Sequence, residues 1–268
     1  AIQGLRAYPS ISAIGKPVDL AIVAVPAKLV QPALEEAAAA GTRAVVLFSA
    51  GFAEVGGEGV AEQERMTALA RRTGMRIVGP NCLGAMSAVT NTYATFSPVV
   101  QSGVARRGSI ALASQSGAFG AFAYYLARDR GLGLSHWITT GNEADVALAD
   151  AIAYFAGDDA TSVILGYCEG VRDGPRFIAA LRAARAAGKP VVLTKVGRSS
   201  VGAEAAASHT ASLAGEDPVY DAILRQYGAI RARSVEEMFD IGYAFSAAAG
   251  RYGRRLAIVT GSGGVGVL

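Results

Sequence analysis

The sequence predicts an α/β protein built on parallel sheets, and three observations carry that reading. Short apolar runs alternate with longer helical stretches along most of the chain. The runs are apolar at nearly every position, as strands buried on both faces must be. The 33 glycines in 268 residues exceed the usual share of about 7% without any G-X-Y period, and they gather where runs and helical stretches end.

The elements follow in order. Residues 18–25 (VDLAIVAV) predict a strand, and residues 27–40, rich in Ala, Leu and Glu, predict a helix stopped by Gly41. The pattern repeats as strand 43–49, a glycine-rich loop, helix 59–73, the stop Gly74 and strand 76–79. A second series opens with strand 108–113, helix 117–130, a strand over 135–140 and helix 145–156. Strand 162–168, helix 175–187 and strand 190–196 continue it. A small-residue segment, 197–215, precedes helices 217–227 and 235–249, and strand 255–260 begins something new. Turn residues cluster near 101–108 and 250–254, which divides the chain into 1–104, 105–250 and 251–268.

Composition narrows the function. At about 150 residues per domain the length suits two packed cores, and 51% hydrophobic with 18% charged residues argues against long disorder or a coiled coil. A net charge of +3 with no basic run argues against nucleic acid or an anionic membrane as partner. Two cysteines, Cys82 and Cys168, make no disulfide framework and read as reduced thiols of a cytoplasmic protein. His136 and His209 form no metal-ligand spacing. No signal peptide or membrane span is legible, and both chain ends read as cut edges.

In open parallel sheets ligands sit beyond the carboxyl ends of the strands, so the loops there are the candidates. Ser114-Gln115-Ser116-Gly117 follows a strand and opens a helix. Its free amides and hydroxyls suit an anion, and an ordinary N-cap explains them equally well. Gly79-Pro80-Asn81-Cys82 reads as a strand-end turn, with a buried structural cysteine as the plainer account. Residues 261–266 (GSGGVG) match G-x-G-x-x-G, but no helix or acidic partner can be traced behind them. His209 lies among small and hydroxyl residues, which suits a solvated loop, a general base or a nucleophile. Glu169 at a strand end could orient its imidazole, and His136 beside Trp137 reads as structural.

The ordered set GPNC (79–82), SQSGA (114–118), GNEAD (141–145), Glu169-Gly170 and SHTASLAG (208–215) resembles the NDP-forming acyl-CoA synthetases and, more distantly, the alpha subunit of succinyl-CoA synthetase. The resemblance covers essentially the whole chain. It implies a Rossmann-like CoA-binding domain, N-terminally incomplete, then a flavodoxin-like ligase domain and the start of a second flavodoxin-like domain. It implies that His209 is the phosphohistidine and Glu169 the acid that orients it. Ser114, Gln115, Ser116 and Gly117 would cradle phosphate, and Val25, Pro26, Ser49, Gly51, Asn81 and Cys82 would surround CoA. Gly141 and Asn142 would lie at the acyl site. Its partners would be CoA, a small carboxylic acid, and ATP or GTP with Mg2+ on an ATP-grasp domain or β-type subunit outside this sequence, in an oligomer. Ala211 stands where the histidine motif usually has Gly. A CoA-binding regulatory module fused to an acetyltransferase and a nicotinamide-dependent oxidoreductase are the alternatives.

Overall fold

The computed structural model describes residues 2–101, 103–197, 216–247, 257, 259–262 and 264. His209, Ala211 and most of residues 251–268 lie outside the described residues.

The first unit is a three-stranded parallel sheet, β1 (Leu20–Val23), β2 (Ala44–Leu47) and β3 (Arg76–Val78), in that spatial order. Helices α1 (Val30–Ala39) and α2 (Glu58–Thr73) connect the strands. Their apolar stripes, Val30, Leu34 and Ala37 on α1 with Met66, Leu69 and Ala70 on α2, close one core with Val45, Leu47 and Ile77. Right-handed crossovers in a simple 1-2-3 order place both helices on the same face. Gly74, at φ +74°, stops α2 by turning its N–H back to the Ala70 carbonyl, a conformation that costs Gly little.

Among the described residues the second unit is a seven-stranded sheet. Its strands are β4 (Gly84–Ser87), β5 (Thr92–Thr95), β6 (Arg107–Ser114), β7 (Leu134–Thr139), β8 (Val163–Cys168), β9 (Val191–Lys195) and β10 (Ile230–Ala232). They run in the order β10-β9-β8-β6-β7-β4-β5. All neighbours from β10 to β7 are parallel, whereas β4 pairs antiparallel with both β7 and β5. Helix α3 (Gly117–Asp129) lies on one face with α7 (Val235–Ala247). Helices α4 (Leu148–Gly157), α5 (Gly174–Ala186) and α6 (Asp217–Tyr227) cover the other.

Three elements differ from the sequence reading. The hairpin β4–β5 falls within residues 1–104 but belongs to the second sheet. Its strands are only four residues long and carry no continuous apolar run. Its inward-facing Ala94, with Cys82 of the turn before β4, packs on Val46 and covers the face of the first sheet opposite α1 and α2. The three-residue strand β10 was likewise too short to stand out. Helix α4 begins at Leu148, three residues after the expected start at Asp145. Residues 144–146 run instead along the free edge of β3, with the Ala144 N–H on the Gly79 carbonyl and the Val146 N–H on the Ile77 carbonyl, both at 3.0 Å. The Asp145 carboxylate accepts from the Ile77 N–H at 2.9 Å and from Arg76 Nε at 2.8 Å. Asp150 then caps the helix by accepting from the Ala147 N–H at 2.8 Å.

Candidate active site

The chain order of the second sheet creates a crevice. From β6 the chain passes through α3 to β7 on one side, then crosses through α4 to β8 on the other. Flanking connections therefore leave the carboxyl end of β6 in opposite directions, which is where doubly wound sheets hold ligands. A cavity of about 220 Å3 opens there. It brings together Asn81, Cys82, Gln115, Ser116, Gly117, Gly141, Asn142 and Glu169, all expected at the site, and adds Phe48, Leu83, Phe96 and Ala118 as an apolar wall.

Ser116 is the N-cap of α3, its Oγ accepting from the Phe119 N–H at 3.2 Å. A helix leaves its first amides without partners in the helix, and here Gly117 and Ala118 bring theirs to the cavity rim. A Cβ on Gly117 would come within 3.1 Å of Leu83 Cγ, so Gly lets the helix start close to the GPNC turn. The dipole of a 13-residue helix adds a positive potential at the same place. Ser114, expected to donate to phosphate, is fully buried and donates its hydroxyl to the Ser116 carbonyl at 2.6 Å. It shapes the turn from within.

Gln115 is buried, with Oε1 accepting from the Glu169 N–H at 2.6 Å and the Gly170 N–H at 3.1 Å. Its Nε2 donates to the Gly170 carbonyl at 2.7 Å. Its side chain thus holds the Glu169 turn, leaving its backbone as the part that can meet a ligand. Glu169 is itself buried at the cavity wall.

Asn142 is 6% exposed and every polar atom of its side chain is engaged. Its Nδ2 donates to the Glu54 carboxylate and, at 3.0 Å, to Gln63 Oε1, while Oδ1 accepts from Asn81 Nδ2 at 3.3 Å. Gln63 Nε2 returns a bond to the Asn142 carbonyl at 3.2 Å. Glu54 also accepts from the Gly51 N–H at 2.5 Å and the Phe52 N–H at 3.1 Å. Burial opposes charge on Glu54, but the bonds from Gly51, Asn142 and Phe52 outweigh it and hold its carboxyl below the ordinary value. Gly141, at φ +59°, sits where a Cβ would be 2.2 Å from the Pro80 carbonyl oxygen. No other residue type fits that approach of loop to turn.

Cys82 lines the cavity but is 2% exposed, and its thiol points at the Leu47 and Val78 carbonyls. Burial pushes it up to about 12. Cys168 is raised to about 12 by burial as well, so neither thiol is a nucleophile at neutral pH. Ser49 donates its hydroxyl to the Val25 carbonyl at 2.5 Å. Val25, Pro26, Ser49 and Gly51 lie at the carboxyl edge of the first sheet and do not line the cavity. His136 stacks on Phe155 at 5.6 Å between ring centres and pairs through Nε2 with Asp158 at 3.1 Å, a structural placement.

The sequence reading missed Glu54, Gln63, Glu143 and Asp145. Glu54 stands three residues after Gly51 in the loop beyond β2, and Glu143 and Asp145 lie inside the GNEAD motif. Acids at strand ends were the available signal.

With this geometry in hand, the family can be assigned. Residues 107–245 match the succinyl-CoA ligase like flavodoxin domain, and residues 1–88 match a CoA binding domain. The chain belongs to the succinyl-CoA ligase like flavodoxin family. It is 42% identical over 267 residues to the alpha subunit of acetate–CoA ligase (ADP-forming) II of Pyrococcus furiosus, covering 100% of this chain and 57% of that protein. It is 44% identical over 267 residues to acetate–CoA ligase (ADP-forming) I of Archaeoglobus fulgidus, covering 100% and 38%. Among solved structures it superposes on the dinucleotide forming acetyl-coenzyme A synthetase 1 of Ca. Korarchaeum cryptofilum, in complex with phosphate and ADP. That match has a TM-score of 0.92 and 36% identity, over 100% of this chain and 56% of that one. The chain thus spans about half the length, or less, of the relatives it matches. The resemblance and the α/β fold class read from the sequence hold. The comparisons support the ligase reading and neither alternative. No described helix is long and apolar enough to cross a membrane.

Proposed function

We propose that the complete protein is an ADP-forming acid–thiol ligase, joining a small carboxylic acid to CoA through an acyl phosphate and a phosphohistidine. The observation that carries this reading is the convergence of an N-terminal helix end, Glu169 and the 141–142 loop on one cavity, in a chain whose relatives are ADP-forming acetate–CoA ligases.

A thiol does not displace oxide from a carboxylate, so the carboxylate is first phosphorylated. In this proposal His209 carries the phosphoryl group. Its neutral imidazole nitrogen attacks phosphorus at the nucleotide and the P–O bond to ADP breaks. Glu169 fixes the imidazole tautomer and stabilises the positive charge that forms. The acid's carboxylate oxygen then attacks the same phosphorus, the P–N bond breaks, and the acyl phosphate is left at the cavity. There the Gly117 and Ala118 amides, the Ser116 hydroxyl and the α3 dipole stabilise the phosphoryl oxygens. Finally the CoA sulfur, having lost its proton, attacks the acyl carbon; the C–O bond breaks and phosphate departs. The first sheet's edge at Val25, Pro26, Ser49 and Gly51 would carry the CoA body, with Asn81 and the Cys82 backbone at its reactive end. Asn142 would keep Gly141 in place at the acyl group.

Among the described residues no group of three or more His, Cys, Asp or Glu could hold a metal ion. We therefore assign Mg2+ to the nucleotide on an ATP-grasp domain or β-type subunit, and no step here runs through it. Two buried, unpaired thiols support a cytoplasmic location.

The test is incubation of full-length protein with ATP labelled in its γ-phosphate. Acid-labile, base-stable label that disappears in His209→Ala and falls strongly in Glu169→Gln is the expected result. Label unchanged in His209→Ala refutes the carrier.

A further inference from the structure

One side chain, Gln115, ties both ends of its amide to a single turn. Its oxygen takes the Glu169 and Gly170 N–H groups, and its nitrogen serves the Gly170 carbonyl. The two ends of the amide cannot be exchanged, because inversion would set an oxygen against the Gly170 carbonyl and an NH2 group against both turn N–H groups.

We infer that Gln115 is a positioning residue of the phosphoryl-transfer site: its side-chain amide fixes the turn that presents Glu169. This rests on the proposal that Glu169 orients His209. The physical reason is geometric. Glu169 follows β8 directly, and the two consecutive amides of its turn hang on one side chain from the neighbouring strand β6. A displacement of about 1 Å at a reacting centre costs on the order of 100-fold in rate. The inference also gives the second residue of the SQSG turn a role that the phosphate cradle alone does not require.

The experiment runs the half-reaction in reverse on the full-length protein, with labelled inorganic phosphate and acetyl-CoA, and reads the rate and KM of histidine phosphorylation. Gln115→Met keeps side-chain length and removes all three bonds. We expect a loss of about 30- to 100-fold in rate with KM for acetyl-CoA little changed. Gln115→Glu keeps the acceptor for both turn amides but sets an oxygen against the Gly170 carbonyl. We expect it to lose at least about tenfold in rate. Melting temperatures of all variants are measured alongside, and if Gln115→Met does not fold, Gln115→Glu decides. A rate within about threefold of wild type in the folded variant overturns the inference. Glu169→Gln is run in parallel. If it phosphorylates normally, the role of Glu169 fails and this inference with it; if it is impaired while Gln115→Met is normal, only the inference fails.

Discussion

Asn142→Asp exchanges one nearly isosteric side chain for another and strikes the contact between the two units. In the native protein Nδ2 of Asn142 bridges the Glu54 carboxylate and Gln63 Oε1. The substitution removes both donations. A bond to a charged group contributes about 1.5–3 kcal/mol and a neutral one about 0.5–1.5 kcal/mol, so the two together amount to about 2–4.5 kcal/mol. At neutral pH the new carboxylate also confronts Glu54, whose charge its backbone donors favour. Two carboxylates in one site raise the affinity of the pair for a proton. A pKa raised in the folded state gives stability that is lost as pH rises through it. The variant is therefore weakest above neutrality and recovers part of its loss toward about pH 5.5. The assay is urea unfolding followed through Trp137, the only tryptophan, which is buried in β7 close to the 141–142 loop. Wild type, Asn142→Asp and Asn142→Asp with Glu54→Gln are compared at about pH 8 and about pH 5.5. The added amide at position 54 can donate to the new carboxylate and should return at least half the loss. An Asn142→Asp variant within about 1 kcal/mol of wild type at the higher pH, or a loss that does not change with pH, refutes the reasoning.

Three further outcomes are expected. Cys82 and Cys168, both raised to about 12 by burial, will not react with an aromatic disulfide reagent in the native protein near pH 7.5, and both will react in urea; a fast native reaction at either contradicts the burial. Gly141→Ala meets the Pro80 carbonyl at 2.2 Å in a left-handed conformation; the backbone penalty alone is about 1–2 kcal/mol, so a total loss above about 2 kcal/mol should appear in chemical denaturation. Burial pushes the Glu143 carboxyl up against the bonds it receives from Leu148, Gln115 and Thr140. Its stabilising share is complete below the ordinary value of 4.5 and fades as pH rises through the raised one. Wild-type stability should therefore fall more steeply than that of Glu143→Gln as pH rises from 4.5 through the raised value, and equal slopes would show that Glu143 does not bind its proton more tightly on folding.

How much of this was legible beforehand depended on the kind of signal. Strands such as β8 and β9, buried on both faces, announce themselves as VILGYC and VVLTK, and Gly41 and Gly74 mark where α1 and α2 must end. The hairpin β4–β5 gave no such signal, because GAMS is placed by its pairing with the distant β7, Trp137 opposite Met86, and TYAT pairs only with GAMS. At the site, the residue types that face a ligand were readable from strand-end loops. The residues that hold them were not. Glu54 and Gln63 meet Asn142 across 88 and 79 positions of sequence, and Ser114 turns its hydroxyl inward although its neighbours look identical in pattern to an anion loop. Spacing places a residue at a strand end, whereas only the packing decides which way its polar atoms face.

The path of the hairpin bears on how such proteins can be recombined. The chain leaves the first sheet at Val78 and enters the second at Gly84, and the short crossing between them contributes Asn81, Cys82 and Leu83 to the cavity. A splice between two relatives made near residue 88 would divide β4 from β5, and one made near residue 104 would part the hairpin from β7, its neighbour in the same sheet. The border that leaves both sheets whole is the crossing itself, at residues 79–83. Neither sheet can then be exchanged without bringing along part of the pocket wall.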